Sequence, residues 1–432
     1  MRVLVIGSGG REHALAWRLA NSPSVAAVEA APGNPGMAEL GPCHTVQPLE
    51  PPEVVRLAER RRADLVVVGP EGPLVAGVAD ELRRCGIPVF GPSAAAARAE
   101  GSKAFAKEVM SAVGAPTARY GVYSDAPSAI AALDGYTSPY VVKADGLAAG
   151  KGVVICHTRE EAQAAIEDAL VRRVFGRAGE RIVLEEWLEG PEASVFAVCD
   201  GHDLVLLPPA QDFKRAFDGD HGPNTGGMGA LTPLPGFGVD EAAELGVSVL
   251  RPVLAEFARR GSPYTGLLYA GLVLTREGPK ILEFNCRFGD PETQVVVPRI
   301  TSDFGALLSA ATDPGRGVLN APLTLSDEAF VSVVLSSSGY PGTYKVGRPI
   351  SGLDQVAVDY PEVLVFHAGT RRDDGRLVTA GGRVLAVTGR GPDVRAARDV
   401  AYAAASLIRW EGMHRREDIA AAAARSIGSS GS

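Results

Sequence analysis

The chain has 432 residues, of which 46% are hydrophobic and 22% are charged, and its formal net charge is -8. A length of this order predicts about two to four domains. The composition is that of a globular protein, which excludes a disordered or fibrous chain. Because the basic residues form no extended cluster, we expect neither nucleic acid nor a membrane as a partner.

The cysteines and the apolar segments indicate in which cellular compartment the protein is expected. The cysteines are scattered without a paired short spacing, so neither a disulfide framework nor a zinc site is predicted. The chain opens on an apolar strand pattern without a signal segment, and it has no apolar run long enough for a membrane span. We therefore expect a soluble cytoplasmic protein that acts on small molecules.

The first hundred residues alternate strand and helix patterns, which predicts a doubly wound parallel sheet. Ligands of such sheets bind at the carboxyl ends of the strands. Gly/Pro-rich turns follow the four predicted strands, at 7–12, 32–36, 69–73 and 91–93. The helices are expected over 12–20, 52–62 and 75–84.

The first turn partly matches a dinucleotide-binding motif, with Glu29 as the acid that could bind a ribose. The motif fails at its third glycine, where Glu12 stands. Gly9 and Gly10 followed by Arg11 at a helix N-terminus suit a phosphomonoester instead. A turn that only joins strand to helix is the alternative.

A second glycine-rich loop lies between strand patterns, after Lys143. Its Gly150 and Lys151 resemble the end of a P-loop, but Asp145 and Gly152 replace the residues that motif requires. A flap over a triphosphate is the better interpretation, and a plain hairpin is the alternative. The strand pattern 181–188 then offers an edge and apolar side chains for an adenine, with a nearby glutamate for the ribose.

Two further segments carry polar chemistry. Residues 208–238 form a long polar, glycine-rich connection, which indicates a binding loop. In the strand pattern 280–287, alternation puts Glu283, Asn285 and Arg287 on one face. Oxygen ligands beside a cation suit Mg²⁺ bound to a polyphosphate. A solvated ion pair at a strand end is the alternative.

From about residue 322 the patterns indicate a separate unit, with strands over 330–336, 363–369 and 383–387 and a long helix over 392–410. The Gly/Ser-rich tail 426–432 is expected to be disordered.

Four segments together resemble the signatures of the phosphoribosylamine-glycine ligase family, in the ATP-grasp superfamily. These are 7–15, 142–152, 223–229 and 282–294. The resemblance implies an α/β and α+β multidomain chain: an N-terminal doubly wound parallel sheet, an ATP-grasp domain with a mobile lid, and a small C-terminal α+β domain. The corresponding ranges are 1–102, 103–320 with the lid at about 118–190, and 321–428, before a tail at 429–432.

The resemblance also implies a reaction and a set of site residues. ATP would phosphorylate glycine, and 5-phosphoribosylamine would attack the glycyl phosphate to give glycinamide ribonucleotide. Mg²⁺ or Mn²⁺ would be held by Glu283 and Asn285, and the catalytic residues would be Arg287, Lys214, Asp212 and Asp290. The residues implied for ATP are Lys103, Lys143, Gly150, Lys151, Glu185, Glu186, Trp187, Leu188 and Glu192. Those implied for phosphoribosylamine are Gly9, Gly10, Arg11, Glu12, Asn34, Pro35, Gly36 and Glu71. Transient contacts with neighbouring purine-pathway enzymes are compatible with this interpretation.

Two alternatives stay open at the level of sequence. One is another ATP-grasp carboxylate-amine ligase with a different acid or amine, which substrate profiling would distinguish. The other is a nicotinamide-dependent oxidoreductase or a non-catalytic nucleotide-binding module. Glu12 in place of the third glycine opposes the oxidoreductase, and the complete set of acids and cations opposes the non-catalytic module.

Overall fold

A computed structural model describes residues 1–148, 152–313 and 315–426. The predictions for Gly150, Lys151 and the tail after residue 426 lie outside the described residues. None of the helices in these three ranges is long and apolar enough to cross a membrane.

The N-terminal region contains the predicted parallel sheet, with strand order β2-β1-β3-β4. Because β1 and β3 are neighbours, the turns that follow them lie side by side. The predicted helix over 75–84 is broken at Gly77, whose φ of +89° ends one helix and begins the next. The elements are β1 (Arg2–Gly7), α1 (Gly10–Ala20), β2 (Ala27–Pro32), α2 (Pro51–Arg61), β3 (Leu65–Val68), α3 (Glu71–Val75), α4 (Val78–Arg84), β4 (Val89–Phe90) and α5 (Ala94–Gly101).

A small four-stranded antiparallel sheet follows, in the order β5-β8-β6-β7, and has its own apolar core. The two strands that flank the second glycine-rich loop pair in an antiparallel manner, with Val142 opposite Val154. The elements of this region are α6 (Lys103–Ala112), β5 (Tyr120–Tyr123), α7 (Ala126–Ala132), β6 (Tyr140–Ala144), β7 (Val153–Cys156), α8 (Arg159–Leu170) and β8 (Ile182–Glu186).

The central antiparallel sheet has the order β10-β9-β15-β16. A π-helical stretch at Gly246–Leu250 separates α9 from α10 just before Pro252, which has no N–H. The elements of this region are β9 (Glu192–Asp200), β10 (Leu204–Leu206), β11 (Gln211–Asp212), β12 (Arg215–Phe217), β13 (His221–Asn224), β14 (Gly229–Thr232), α9 (Val239–Leu245), α10 (Arg251–Arg259), β15 (Thr265–Thr275), β16 (Gly278–Asn285), α11 (Thr293–Val296) and α12 (Phe304–Thr312).

The C-terminal sheet has the order β11-β14-β17-β21-β18, and β22 also pairs with β17. The predicted polar connection 208–238 therefore contains strands, two of which complete this sheet. The helix predicted over 392–410 is shorter and begins after Asp393, which caps it. The elements of this region are β17 (Ala329–Ser337), α13 (Leu353–Asp359), β18 (Leu364–His367), β19 (Thr370–Asp373), β20 (Arg376–Thr379), β21 (Arg383–Gly391), α14 (Val394–Ala405), β22 (Met413–His414) and α15 (Ala421–Ser426).

Candidate active site

The end of β16 carries an acid and an amide with free oxygen atoms. Within the three described ranges, the side chains of Glu283 and Asn285 make no hydrogen bond and no ion pair, although Asn285 is buried. Burial raises the pKa of Glu283, but nearby lysines and an arginine lower it by more, so the pKa lies below its usual value. An ionised carboxylate and an amide with unused lone pairs fit a metal ion that takes its other ligands from phosphate and water.

No cluster of three or more His, Cys, Asp or Glu side chains in the described part of the chain forms a complete metal cage. The charges that act on the Glu283 carboxylate belong to Lys103, Lys143, Lys214 and Arg287. The structure therefore gathers these four predicted site residues around the acid.

Lys103 and Lys143 differ in their partners. Lys103 begins α6, its backbone N–H donates to the Asp145 carbonyl at 3.0 Å, and its ammonium has no partner among the described residues. The Lys143 ammonium donates to Glu185 Oε2 at 2.9 Å, and both side chains are buried. Lys103 thus offers a free cation, and Lys143 is held in place by Glu185.

Lys107 is a buried residue that the sequence analysis missed. It lies one turn after Lys103 in α6, donates to Thr117 Oγ1 at 2.7 Å, and lies 3.3 Å from Glu185 Oε2. Burial lowers the pKa of its ammonium to about 8. The signal that could have found it was the spacing of four from Lys103 in a chain with few lysines.

The predicted adenine edge lies where β8 ends. Glu186 N–H donates to the Arg119 carbonyl at 3.0 Å, so that N–H is not available to a base. Leu188 packs with Val273 in a small apolar cluster, while Trp187 is 44% exposed. An apolar surface beside a strand end is a suitable surface for a flat base.

Lys214 joins two of the predicted acids. Its ammonium donates to Asp212 Oδ1 at 2.8 Å and also forms an ion pair with Glu192. Burial lowers the pKa of Lys214, but the two carboxylates raise it more, so it lies well above the usual value. Burial also raises the pKa of Asp212, where the charge of Glu292 opposes ionisation. The ammonium is therefore fixed as a cation next to a buried acid.

The first turn of the N-terminal sheet forms a compact charged structure. Arg11 Nε donates to Glu12 Oε1 at 2.5 Å, and Arg11 Nη1 donates to the Phe288 carbonyl at 3.1 Å. Glu12 Oε2 accepts from Gly9 N–H at 2.6 Å. A Cβ on Gly9 would lie 2.7 Å from that oxygen, so a larger residue there would displace the Glu12 carboxylate. Arg11 thereby joins this turn to the segment that follows β16.

The second turn also contacts the first. Asn34 Nδ2 donates to the Ser8 carbonyl at 2.9 Å and to the His367 carbonyl at 2.8 Å, and Pro35 and Gly36 follow it. A Cβ on Gly36 would lie 2.2 Å from the His13 ring, so only glycine fits. Glu29, the candidate acid of the dinucleotide interpretation, is instead paired with other side chains of the N-terminal region.

The third turn supplies Glu71, which accepts from Arg287 Nε at 3.2 Å. Arg287 also donates through Nη2 to Glu100 Oε1 at 2.8 Å, and Glu100 Oε2 accepts from Cys286 N–H at 2.9 Å. Burial raises the pKa of Glu100 even though Arg287 opposes the shift. Glu100 was missed because it ends an alanine-rich helix and belongs to no motif.

Asp290 lies beside the first turn. Its Oδ1 accepts from Gln294 Nε2 and its Oδ2 from Arg383 Nη2, both at 2.7 Å. A Cβ on Gly9 or Gly10 would lie 3.8 Å from its carboxylate oxygens. Arg383 was also missed by the sequence analysis, and its only sequence signal was its position at the start of a predicted strand.

His13 of α1 and His367 of β18 form a buried contact between the N-terminal and C-terminal regions. His13 Nδ1 accepts from His367 N–H at 2.8 Å. Burial lowers the pKa of His13 to about 3 and that of His367 to about 4. Both rings are therefore neutral in the folded protein at neutral pH.

This histidine pair predicts acid sensitivity. Each folded-state pKa lies below the usual value, so the unfolded chain binds more protons as the pH falls from about 6.5 toward 4. Above this window the histidines should not lower the free energy of unfolding. As the pH falls through the window, the free energy of unfolding should fall by up to about 1.4 kcal/mol per pH unit for each ring. Urea denaturation of wild type and His13→Gln at several pH values measures this. An equally steep loss in the variant would contradict the assignment of this loss to His13.

The sequence is similar to known proteins along nearly its whole length. Residues 1–100 match the family model of the phosphoribosylglycinamide synthetase N domain, 101–293 that of its ATP-grasp (A) domain, and 330–422 that of its C domain. The phosphoribosylamine-glycine ligase of Streptomyces coelicolor is 53% identical over 425 residues, covering 98% of this chain and 100% of the relative. That of Halalkalibacterium halodurans is 45% identical over 419 residues, covering 97% and 96%.

Solved structures give the same result. The phosphoribosylamine-glycine ligase of Thermotoga maritima has a TM-score of 0.84 and 34% identity, covering 97% of this chain and 100% of that one. The biotin carboxylase domain of Hydrogenobacter thermophilus 2-oxoglutarate carboxylase has a TM-score of 0.71 but 17% identity, covering 96% and 91%, and so shares the fold alone. The predicted multidomain ATP-grasp fold is confirmed, and the chain belongs to the phosphoribosylglycinamide synthetase family, that of the phosphoribosylamine-glycine ligases.

Proposed function

We propose that the protein joins glycine to 5-phosphoribosylamine with ATP, giving glycinamide ribonucleotide, ADP and phosphate in purine biosynthesis. The observation that carries the proposal is that the segment 283–290 lies between the lysines near Glu283 and the turns that contain Arg11 and Glu71. Its first part, at Glu283, lies among the lysines suited to a polyphosphate. Its last part contacts Arg11 and Glu71 at the turns suited to a phosphomonoester.

The proposed chemistry has two steps. A glycine carboxylate oxygen takes the γ-phosphoryl group of ATP, which breaks the bond to ADP and forms glycyl phosphate. The amine nitrogen of phosphoribosylamine then attacks the acyl carbon, phosphate leaves with the C–O bond electrons, and the nitrogen loses a proton. The first step requires fixed cations around the transferring group, and both steps require exclusion of water.

The family uses ATP and a divalent metal. We propose Mg²⁺, or Mn²⁺ in its place, with Glu283 and Asn285 as the protein ligands. The metal would neutralise phosphate charge when it is bound. Lys103 and Lys143 would contact phosphates, as would Gly150 and Lys151, which lie outside the described residues.

The remaining roles follow the same division. The nucleoside would lie against Glu185, Glu186, Trp187 and Leu188 with its ribose at Glu192, and Arg287 would stabilise the transferring phosphoryl group. Asp212 and Lys214 would lie near glycine and the acyl phosphate. Phosphoribosylamine would be held by Gly9, Gly10, Arg11, Glu12, Asn34, Pro35, Gly36 and Glu71. We propose the same domain division as above, at 1–102, 103–320 and 321–428. We also propose that the enzyme is cytoplasmic and acts on small molecules. It would bind neither nucleic acid nor membranes, and it would contact other purine-pathway enzymes only transiently.

The test is ADP release with freshly prepared phosphoribosylamine, glycine and ATP, with each substrate omitted in turn. We expect full release only in the complete mixture. Replacing glycine with other small amino acids tests the alternative, another ATP-grasp carboxylate-amine ligase. Faster release with a different acid or amine would overturn the proposed substrates and leave the ligase class intact.

Arg11→Ala tests the first turn. Removing the guanidinium should raise the KM for phosphoribosylamine by about tenfold or more, because a charged hydrogen bond to phosphate is lost. The KM for ATP should change little. Arg60→Ala, at an exposed position of α2, is the control and should match wild type. A large loss of ATP affinity in Arg11→Ala would move this turn into the nucleotide site.

A further inference from the structure

Arg383 joins the C-terminal sheet to two loops of the candidate active site. It begins β21, and its Nη1 donates to the backbone carbonyls of Asp290 and Gly226, each at 2.6 Å. Its Nη2 donates to Asp290 Oδ2 at 2.7 Å. A Cβ on Gly226 would lie 2.7 Å from the guanidinium carbon. The Arg383 guanidinium therefore holds the Asp290 side chain, the Asp290 backbone and the polar connection 208–238 together.

The surroundings of Asp290 differ from those of Glu283. The cations that act most strongly on Glu283 are Lys103, Lys143, Lys214 and Arg287. Those that act on Asp290 are Arg383, Arg11 and Arg287. Arg287 is common to both sets, so it stands between two charged groups. Asp290 belongs with the first turn by geometry, since a Cβ on Gly9 or Gly10 would lie 3.8 Å from its carboxylate oxygens.

The Asp290 carboxylate still has capacity to bind a ligand. A carboxylate offers about four lone-pair positions. Within the described residues, Gln294 and Arg383 each occupy one of them. The Asp290 side chain is 19% exposed, so it is not sealed from a ligand. An anionic carboxylate repels phosphate, and its remaining positions therefore suit hydroxyl or amine hydrogens.

We infer that Asp290 binds the hydroxyl or amine groups of the amine substrate, and that Arg383 of the C-terminal sheet is the positioning residue that holds it there. This rests on the proposed function and changes one expectation of the sequence analysis, where the family resemblance implied that Asp290 is a catalytic residue. The C-terminal sheet thereby contributes to recognition of the amine substrate through a residue that orients an acid beside the first turn.

Initial rates with phosphoribosylamine, glycine and ATP varied separately test the inference. Asp290→Asn and Arg383→Ala should each raise the KM for phosphoribosylamine by about tenfold or more and leave the other two KM values within about twofold. Arg383→Lys should recover only part of the loss, because an ammonium lacks the planar fork of the guanidinium.

Arg390→Ala is the matched control. Arg390 lies on the same strand, is exposed and pairs with Glu328 at 3.4 Å, so its removal should leave all three KM values unchanged. If Arg383→Ala does not fold, the nearly isosteric Asp290→Asn gives the result. An equal change in all three KM values, or one confined to glycine, would overturn the inference. Failure of wild type to require both glycine and phosphoribosylamine would instead overturn the proposed function.

Discussion

Replacing Glu283 with glutamine is expected to lower kcat/KM for ADP formation by about a thousandfold or more, because the proposed metal site would lose its charged ligand. The fold should be retained, since the Glu283 side chain makes no hydrogen bond or ion pair within the described ranges. Rates measured over a wide range of Mg²⁺ concentration give the effect on catalysis. Binding of Mn²⁺ in the presence of ATP, followed by electron paramagnetic resonance, gives the effect on the metal directly.

Glu277→Gln is the matched control for this prediction. Glu277 lies in the turn before β16, is exposed and pairs with Lys280 at 2.8 Å. Its replacement should change neither the rate nor Mn²⁺ binding. Turnover of Glu283→Gln at the wild-type rate under saturating Mg²⁺ would remove Glu283 from the metal site.

The fold was predictable where local patterns determine it. Strand β1 is buried from Val3 onward, and its apolar run and glycine turn are visible without knowledge of its partners. Strands β11 and β14 were missed because they are short and because β14 pairs with a strand that lies far away in the sequence. Gly229 of β14, for example, pairs with Val333 of β17. Such pairing depends on tertiary contacts that local composition does not reveal.

Some residues of the candidate site were likewise predictable from local patterns, and others were not. Glu283 and Asn285 share a face through strand alternation, so the sequence was sufficient to bring them together. Glu100 and Arg383 contact the site across separations of 187 and 93 residues. A lone acid on an alanine-rich helix or a lone arginine in a strand has no local pattern that distinguishes it from a surface residue. Only the packing of three regions around the segment after β16 gives these residues a role.

Arg287→Met is expected to lower both stability and activity. The Arg287 guanidinium lies between the carboxylates of Glu71 and Glu100. Removing it leaves two acids facing each other, with the Glu100 side chain only 9% exposed, and breaking a buried pair typically costs about 3–5 kcal/mol. Turnover should also fall by about a hundredfold or more, because the proposed role of Arg287 is to stabilise the transferring phosphoryl group. Urea denaturation and initial rates measure the two effects.

The double variant Arg287→Met/Glu100→Gln separates these effects. Neutralising Glu100 removes the charge repulsion, so the double variant should regain much of the lost stability without regaining turnover. Arg251→Met is the control for an exposed pair, since Arg251 and Asp203 are 3.0 Å apart at the surface and should contribute less than about 1 kcal/mol. Recovery of turnover together with stability in the double variant would show that Arg287 supports the fold of the site and takes no part in phosphoryl transfer. Wild-type stability in the single variant would contradict the buried ion-pair network itself.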